Sequence, residues 1–463
     1  MSRSVGKNTR TLAWRWCEVV PFMAAVAVVG AGKSGQAAAR WLALGGRRVV
    51  LWDGRDSEAL RVVAGALAPF GVEAVLGREF VPEEPDLSLV VVSPGVRWDH
   101  PGLVAARARG VTVTGEVGLA WESLSHRRWL CVTGTNGKTT TTALVGHILK
   151  TAGLRAPVCG NIGRPVTDLL LEPEDYDWIV AELSSFQIES AQGIRPEVAV
   201  WTTFTPDHLN RHGTLERYAA IKAGLLMQAR RAVLNGDDAY LGARRSAWPD
   251  AWWTSTQAPA AVSLAGKDIC IENRPVLPVS AVRLPGAHNL QNVLMAVAAC
   301  HLTGVGDAAI ASGVASFIGV PHRLEAVGEY RGVRFINDSK ATNYDAALVG
   351  LTAVPAPSVL IAGGQAKTGE SGPWLRAIAE RCASVVLIGE AAPLFEKWLR
   401  AQDYRAVYTA HTLERAVPMA FEQARAQGAQ CVLFSPACAS FDQFRNFEER
   451  GDRFRALIAA LAS

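Results

Sequence analysis

A chain of 463 residues is too long for a single hydrophobic core, so two or three domains are expected. Nearly half of the residues are apolar and 19% are charged, the balance of an ordinary globular enzyme. The net charge is only +4, and Arg3, Lys7, Arg10 and Arg15 against Glu18 put most of it at the amino terminus, so the near-neutral body carries no nucleic-acid footprint. Eight scattered cysteines form no C-x-x-C pair and have no histidines at zinc spacing; they read as reduced thiols of a cytoplasmic protein. No stretch is long and apolar enough to span a bilayer.

Residues 1–22 read as a disordered extension, with Met23 as the expected true start. Their basic residues imitate a signal peptide, but the apolar run beyond them leads directly into a glycine turn. A strand over 24–29 meets Gly30-Ala31-Gly32-Lys33-Ser34-Gly35 and a helix over 36–44, and a second strand over 48–52 ends in Asp53. This is the G-x-G-x-x-G fingerprint with an acid about twenty residues on, suited to NAD or to the diphosphate of another nucleotide-linked ligand. Gly32 and Gly35 could equally serve tight strand–helix packing. Strands over 87–92 and 111–114 end in Ser93-Pro94-Gly95 and Gly115-Glu116. Strands alternating with helices predict a doubly wound α/β layer that closes near Glu116.

Residues 130–132 predict a buried strand, followed by Gly134-Thr135-Asn136-Gly137-Lys138-Thr139-Thr140 and a helix carrying Ala143, Leu144, His147, Ile148 and Leu149. Strand, glycine turn and helix start make an anion cradle of backbone N–H groups and helix dipole. Lys138 adds a point charge for terminal phosphates and Thr139 a hydroxyl for Mg²⁺, although Val132 stands where the general G-x-x-x-x-G-K-[ST] pattern has glycine. The strand over 178–181 delivers Glu182, and the one over 198–203 leads to Phe204-Thr205-Pro206-Asp207-His208-Leu209-Asn210-Arg211-His212. A helix over 218–227 carries Lys222, a strand covers 229–234, small β elements run to Arg283, and a helix over 290–302 includes Asn292. Beyond Pro321-His322-Arg323-Leu324-Glu325, strands over 333–336, 359–362, 385–388 and 431–434 define a third α/β unit.

Taken in order, T-G-T-N-G-K-T-T, E-L-S-S-F-Q, D-H-L-x-R-H, G-x-H-N-x-x-N, P-H-R-L-E, N-D-S-K-A-T-N and S-P-A-C-A-S-F-D-Q-F-x-N-F-x-x-R-G resemble the Mur ligases of peptidoglycan synthesis. The last motif resembles the D-glutamate-adding branch. The resemblance runs from about Ala24 to the carboxyl terminus. It implies an α/β fold of three domains: a Rossmann-like UDP-binding domain (23–116), a P-loop-type central ATPase domain (117–319) and a Rossmann-like amino-acid-binding domain (320–463). It also implies a cytoplasmic monomer that uses ATP and Mg²⁺ to join D-glutamate to UDP-N-acetylmuramoyl-L-alanine through an acyl phosphate.

By position, the resemblance gives Gly134, Thr135, Asn136, Gly137, Lys138, Thr139 and Thr140 to the ATP phosphates, Asn289 and Asn292 to adenine, Arg323 to the γ-phosphate and Asp338 to the ribose. Thr139 and Glu182 would bind the first Mg²⁺, and His208 a second together with Lys222 as its carbamate. Lys138, Glu182, His208 and Lys222 would carry the chemistry. Lys33, Ser34, Asp53, Arg55 and Ser93 would face the UDP portion, and Asn161, Ser184, Gln187 and His208 the muramoyl-alanine. Lys340, Thr342, Lys367, Ser440, Phe441 and Phe447 would form the D-glutamate pocket. Against each stands a plainer reading: a solvated helix lysine for Lys222, a structural histidine for His208, solvated asparagines at 289 and 292, surface charges at 323 and 338, core aromatics at 441 and 447.

Two positions depart from the family pattern. Phe441 replaces a common leucine, and Asn210 replaces the aspartate of H-L-D-R, removing one negative charge near the second metal. Activity is expected to survive both. The competing readings are a sibling amide ligase (another Mur ligase or a folylpolyglutamate synthase), a P-loop switch without covalent product, and an NAD-dependent oxidoreductase.

Overall fold

Apolar runs become strands of three sheets in the computed structural model, which describes residues 24–172, 174–284, 286–366 and 369–462. The proposed extension over 1–22, the start at Met23 and Lys367 lie outside the described residues. The first sheet comprises β1 (Ala25–Val29), β2 (Arg48–Asp53), β3 (Val72–Leu76), β4 (Leu87–Val92) and β5 (Thr112–Gly115), in the order β3-β2-β1-β4-β5. Every pairing in it is parallel. The strand order reverses between β1 and β4, which is where a doubly wound sheet opens a crevice at its carboxyl edge.

The second sheet has nine strands: β6 (Arg128–Thr133), β7 (Val158–Gly160), β8 (Trp178–Glu182), β9 (Val198–Trp201), β10 (Arg231–Asn235), β11 (Trp252–Ser255), β12 (Val262–Ala265), β13 (Asp268–Ile271) and β14 (Arg274–Pro278). Their order is β14-β13-β12-β11-β10-β9-β6-β8-β7, so β6 is paired on both sides, parallel to β8 and to β9. Both its faces are covered, which explains the continuous apolar run Trp129–Leu130–Cys131–Val132, each residue at most 1% exposed. Burying one such aliphatic side chain contributes about 2 kcal/mol.

The third sheet, β15 (Glu325–Tyr330), β16 (Val333–Asn337), β17 (Ser358–Gly363), β18 (Cys382–Ile388), β19 (Val407–His411) and β20 (Cys431–Phe434), runs β15-β16-β20-β17-β18-β19, with only β15 antiparallel. Backbone packing divides the chain into two compact units. One holds the residues up to Ala281 with Gln291–Ala315, and so the first two sheets; the other holds Val282–Leu290 with the residues from Ser316, and so the third sheet.

Several boundaries differ from the sequence reading. The first helix is Lys33–Leu44, starting three residues early because the Gln36 amide already donates to the Gly32 carbonyl at 2.9 Å. The helix expected over 290–302 starts at Ala287, which puts Asn289 in its first turn and not before it. The two glycines left open divide cleanly. A Cβ on Gly35 would lie 1.9 Å from the Gly30 carbonyl, so Gly35 lets helix and turn touch, whereas nothing lies within 4 Å of a Cβ on Gly32. Among the described residues no helix is long and apolar enough to cross a membrane.

Candidate active site

β6 ends at Thr133 and the helix Lys138–Thr151 begins five residues later, so the loop between them must turn sharply. Gly134 (φ +149°) and Gly137 (φ +81°) make the turn possible. A Cβ on Gly134 would stand 2.0 Å from Thr202 Oγ1, and one on Gly137 2.4 Å from Asn292 Oδ1. The loop is pinned to its neighbour, since the Thr135 amide donates to the Thr203 carbonyl (2.8 Å) and the Asn136 amide to Thr203 Oγ1 (2.9 Å). The amides of a helix's first turn have no intrahelical acceptors, so this end is a site for an anion. Thr139 and Thr140 are buried in that turn. Lys138 Nζ donates to the Gly134 and Thr135 carbonyls (3.0 and 2.7 Å), folded back over the loop.

Glu182 ends β8 opposite Val132 of β6 and is 1% exposed. Its Oε1 accepts from Asn161 Nδ2 at 2.8 Å, while Oε2 is buried with no hydrogen-bond partner among the described residues. A buried carboxylate oxygen left bare costs free energy that a cation would recover. With the Thr139 hydroxyl, this donor set fits Mg²⁺, which prefers hard oxygen ligands. Protein side chains alone do not complete a cage, for no cluster of three His, Cys, Asp or Glu ligands occurs among the described residues. That too is usual for Mg²⁺, which keeps waters and substrate phosphates as ligands.

Lys222 lies on the helix Leu215–Gln228 and is 1% exposed, not the solvated lysine of the plainer reading. Its Nζ donates to Gly134 O (2.8 Å) and Thr133 Oγ1 (3.2 Å) and sits 4.8 Å from the Tyr218 ring centre. Burial, reinforced by the Lys138 charge, pushes its pKa well below that of an ordinary lysine, against the pull of Asp207 and Glu182. The amine is therefore driven toward its neutral, nucleophilic form. His208 adopts φ +54° just before the short turn Leu209–His212, with its Nε2 3.3 Å from Asp207 Oδ2. Its pKa is lowered by burial and by the charges of Lys138, Lys222 and Arg211, with Asp207 opposing. Lys138, Glu182, Asp207, His208 and Lys222 thus share one electrostatic neighbourhood at the carboxyl edge of the second sheet.

A separate cavity of about 780 Å³ opens at the carboxyl edge of β1 and β4. Lys33, Ser34, Asp53, Arg55 and Ser93 all line it, together with Glu79, Val96, Arg97 and Asp99 that the sequence did not single out. Asp53 Oδ2 accepts from the Ala31 amide and its Oδ1 from Arg55 Nε, both at 3.0 Å. Burial works to raise the Asp53 pKa, but the bonds from Arg55 and Ala31 outweigh it and hold the carboxyl below its usual value. Asn161, Ser184 and Gln187 do not line this cavity. Asn161 is tied to Glu182, and Ser184 and Gln187 cap each other at the start of the helix Ser185–Ser190.

In the unit of the third sheet, Asp338 is buried and takes bonds from Ser435 Oγ (2.8 Å) and the Leu324 amide (3.3 Å), and burial pushes its pKa up to about 7. Arg323 lies between His322 (φ +63°) and Leu324 (φ +44°), with a buried Nε that has no partner among the described residues. Asn289, in the same unit, is buried; Asn292, which belongs to the unit of the first two sheets, is buried too, and its Oδ1 accepts from Thr141 Oγ1 of that unit at 3.5 Å. Lys340 Nζ sits 5.6 Å from the Phe447 ring centre, Ser440 is buried and Thr342 is half-buried. Phe441 is 68% exposed and so is no core aromatic. Arg450 carried no role in the sequence reading. It is 1% exposed and donates to the Ser339, Cys438 and Ala439 carbonyls, joining the N-D-S-K and S-P-A-C-A-S segments. Its place in the last motif was visible, but its burial was not.

The chain matches the MurD-like N-terminal domain of Mur ligases over residues 24–115, the Mur ligase middle domain over 132–300 and the Mur ligase glutamate ligase domain over 322–438. It is 48% identical over 459 residues to the UDP-N-acetylmuramoylalanine–D-glutamate ligase of Thermosynechococcus vestitus, and 49% identical over 449 residues to that of Microcystis aeruginosa. Each match covers 95% of this chain and all of the relative. Among solved structures it is similar to the UDP-N-acetylmuramate-alanine ligase of Thermotoga maritima, with a TM-score of 0.61 at 19% identity over 95% of this chain and all of that one. It is also similar to MurF of Acinetobacter baumannii, with a TM-score of 0.57 at 18% identity over 89% and 90%. These two likenesses concern the fold. With three matched domain models and near-complete relatives at almost half identity, the chain belongs to the Mur ligase family.

Proposed function

We infer that the protein joins D-glutamate to UDP-N-acetylmuramoyl-L-alanine with cleavage of ATP, a step of peptidoglycan synthesis in the cytoplasm. The observation that carries this reading is the identity of 48–49% to ligases of that name along essentially the whole chain. ATP transfers its γ-phosphoryl group to the alanine carboxylate, the D-glutamate amine attacks the acyl phosphate, and phosphate leaves as the amide forms. Two anions must meet for the first step, and a junction that holds Lys138 and the helix N-terminal amides suits that demand.

In this reading Gly134–Thr140 cradle the phosphates and Lys138 turns from the loop carbonyls to the γ-phosphate. Asn289 and Asn292 contact the base, and Arg323 and Asp338 the γ-phosphate and ribose. Thr139 and Glu182 hold one Mg²⁺; His208 and Lys222 hold a second, Lys222 after its neutral amine has added CO₂ and released a proton. Bound metal neutralises phosphate charge in the transfer. The cavity with Lys33, Ser34, Asp53, Arg55 and Ser93 takes the UDP portion, and Asn161, Ser184 and Gln187 the muramoyl-alanine. Lys340, Thr342, Lys367, Ser440, Phe441 and Phe447 receive the amino acid. The domain limits 23–116, 117–319 and 320–463 and a monomeric state belong to the same proposal.

Amino-acid-dependent phosphate release, measured with UDP-N-acetylmuramoyl-L-alanine, ATP and Mg²⁺, tests it. D-Glutamate should support turnover, and L-glutamate, L-alanine and meso-diaminopimelate should not. Turnover with any of the others in its place would reassign the chain to a sibling ligase.

A further inference from the structure

Two charged or polar members of the D-H-L-x-R-H motif, Arg211 and His212, have no part in the reaction described above. His208, four residues before the end of that motif, adopts a left-handed backbone that a non-glycine residue keeps only when its surroundings impose it. The turn that follows, Leu209–His212, is a single one, and its start has no side-chain cap. Something outside the turn must therefore hold His208 in place.

Asp207 Oδ1 accepts from the His208 amide at 2.8 Å, and the Phe186 ring centre lies 4.9 Å from that of His208. Two side chains of the turn anchor it to its surroundings. His212 is 2% exposed; its Nε2 pairs with Ser185 Oγ at 2.8 Å and its ring stacks on Tyr218 at 5.3 Å. Arg211 reaches the other way. Its Nη2 donates to the Val96 carbonyl at 2.7 Å and its guanidinium lies 4.7 Å from the Phe186 ring centre, while Arg97 Nη1 returns a long 3.5 Å bond to the Asn210 carbonyl. Val96, Arg97 and Asp99 are walls of the 780 Å³ cavity at the first sheet. Arg211 is thus tied at one end to the cavity wall and at the other to the backbone that presents His208.

We propose that Arg211 is a positioning residue that couples occupancy of the cavity at the first sheet to the posture of His208 at the second. A nucleotide-linked substrate that fixes the Ser93–Asp99 segment fixes the Val96 carbonyl, and with it Arg211 and the turn that follows His208. Substrate in the cavity thereby tightens a hold on the His208 turn that the contacts of Arg211 with Val96 and Phe186 already provide. The inference rests on the functional reading above for the identity of that substrate, but its physical content is tested without turnover.

Hydrogen exchange of residues 208–213 is followed in the full chain, without metal, before and after adding UDP or UDP-N-acetylmuramoyl-L-alanine. In the native protein either ligand should slow exchange there by about tenfold, since ordering a strained turn suppresses local opening. In Arg211→Ala the slowing should vanish while calorimetry still registers binding. Arg211→Lys, which keeps one donor but loses the planar stack on Phe186, should give a partial response and serves if the alanine variant does not fold. In turnover, Arg211→Ala should raise the Mg²⁺ concentration for half-maximal rate by about tenfold, the scale of losing a residue that orients a ligand, with KM for D-glutamate unchanged. An undiminished exchange response in both variants overturns the coupling, as does an equal loss of rate at every Mg²⁺ concentration. Absence of glutamate-dependent turnover in the native protein defeats the functional reading alone, because the exchange response to UDP judges Arg211 independently. Failure of both nucleotides to bind defeats both.

Discussion

Glu116 shows how far burial alone can shift a side chain's chemistry. It is 1% exposed, its Oε1 accepts from the Thr167 amide and hydroxyl, and its Oε2 has no partner among the described residues. Burial pushes its pKa from 4.5 to about 7, with the Thr167 bonds opposing. A folded pKa above the unfolded one means that the native state binds the extra proton between those two values. Stability is then full below pH 4.5 and declines as the pH rises through about 7. The decline amounts to roughly 3 kcal/mol at most. Glu116→Gln, which copies the protonated group, should match the native protein in urea midpoint near pH 5 and exceed it near pH 8. Parallel pH profiles for the two proteins would count against this account. Asp338, also raised to about 7 by burial, titrates in the same direction but belongs to the other compact unit. Neither shift was legible in the sequence, where Asp338 read as a ribose contact or a surface charge and Glu116 only as the residue after a strand end. Lys222 is the same lesson with the opposite sign, because only burial separates it from a solvated helix lysine.

At the scale of elements, the phosphate loop was readable because its requirements are local. A buried strand, a left-handed glycine and a helix start occupy consecutive residues, and each leaves a mark in residue type. What the pattern did not reveal is the tightness of the fit. Gly134→Ala would drive a methyl group into Thr202 Oγ1 from a backbone conformation that alanine disfavours. We expect this variant to lower ATP affinity at least tenfold, a loss of about 1.4 kcal/mol, because the loop must move to relieve the clash. Isothermal titration with ATP would measure it, and unchanged affinity would contradict the argument. Where element boundaries shifted, as at Lys33 and Ala287, the reason was again local: a turn amide finds a helical acceptor earlier than the apolar period alone indicates.

For the whole molecule, three sheets are gathered into two packed units, each with its own buried clusters. Units with separate cores are expected to unfold separately, so calorimetry should resolve two transitions. UDP, whose proposed cavity lies within the first unit, should raise one transition only, by about 2.7 kcal/mol of added stability at a hundredfold excess over its dissociation constant. A single transition, or equal shifts in both, would refute that partition.

The sequence by itself determined the three α/β layers, the phosphate loop, the dinucleotide-like turn and the family, because each is written in short runs of residues whose spacing follows from backbone geometry. It could also name Glu182 and His208, through the motifs that contain them, and Lys222, by its position in the family resemblance alone. Only the tertiary structure decided that β6, β8 and the helix Leu215–Gln228 bring these residues into one field, that Glu182 keeps an unpaired oxygen, and that Arg450 and Arg211 tie distant motifs together. The physical reason is that burial and charge coupling depend on distances through space, which chain order does not encode for residues tens of positions apart.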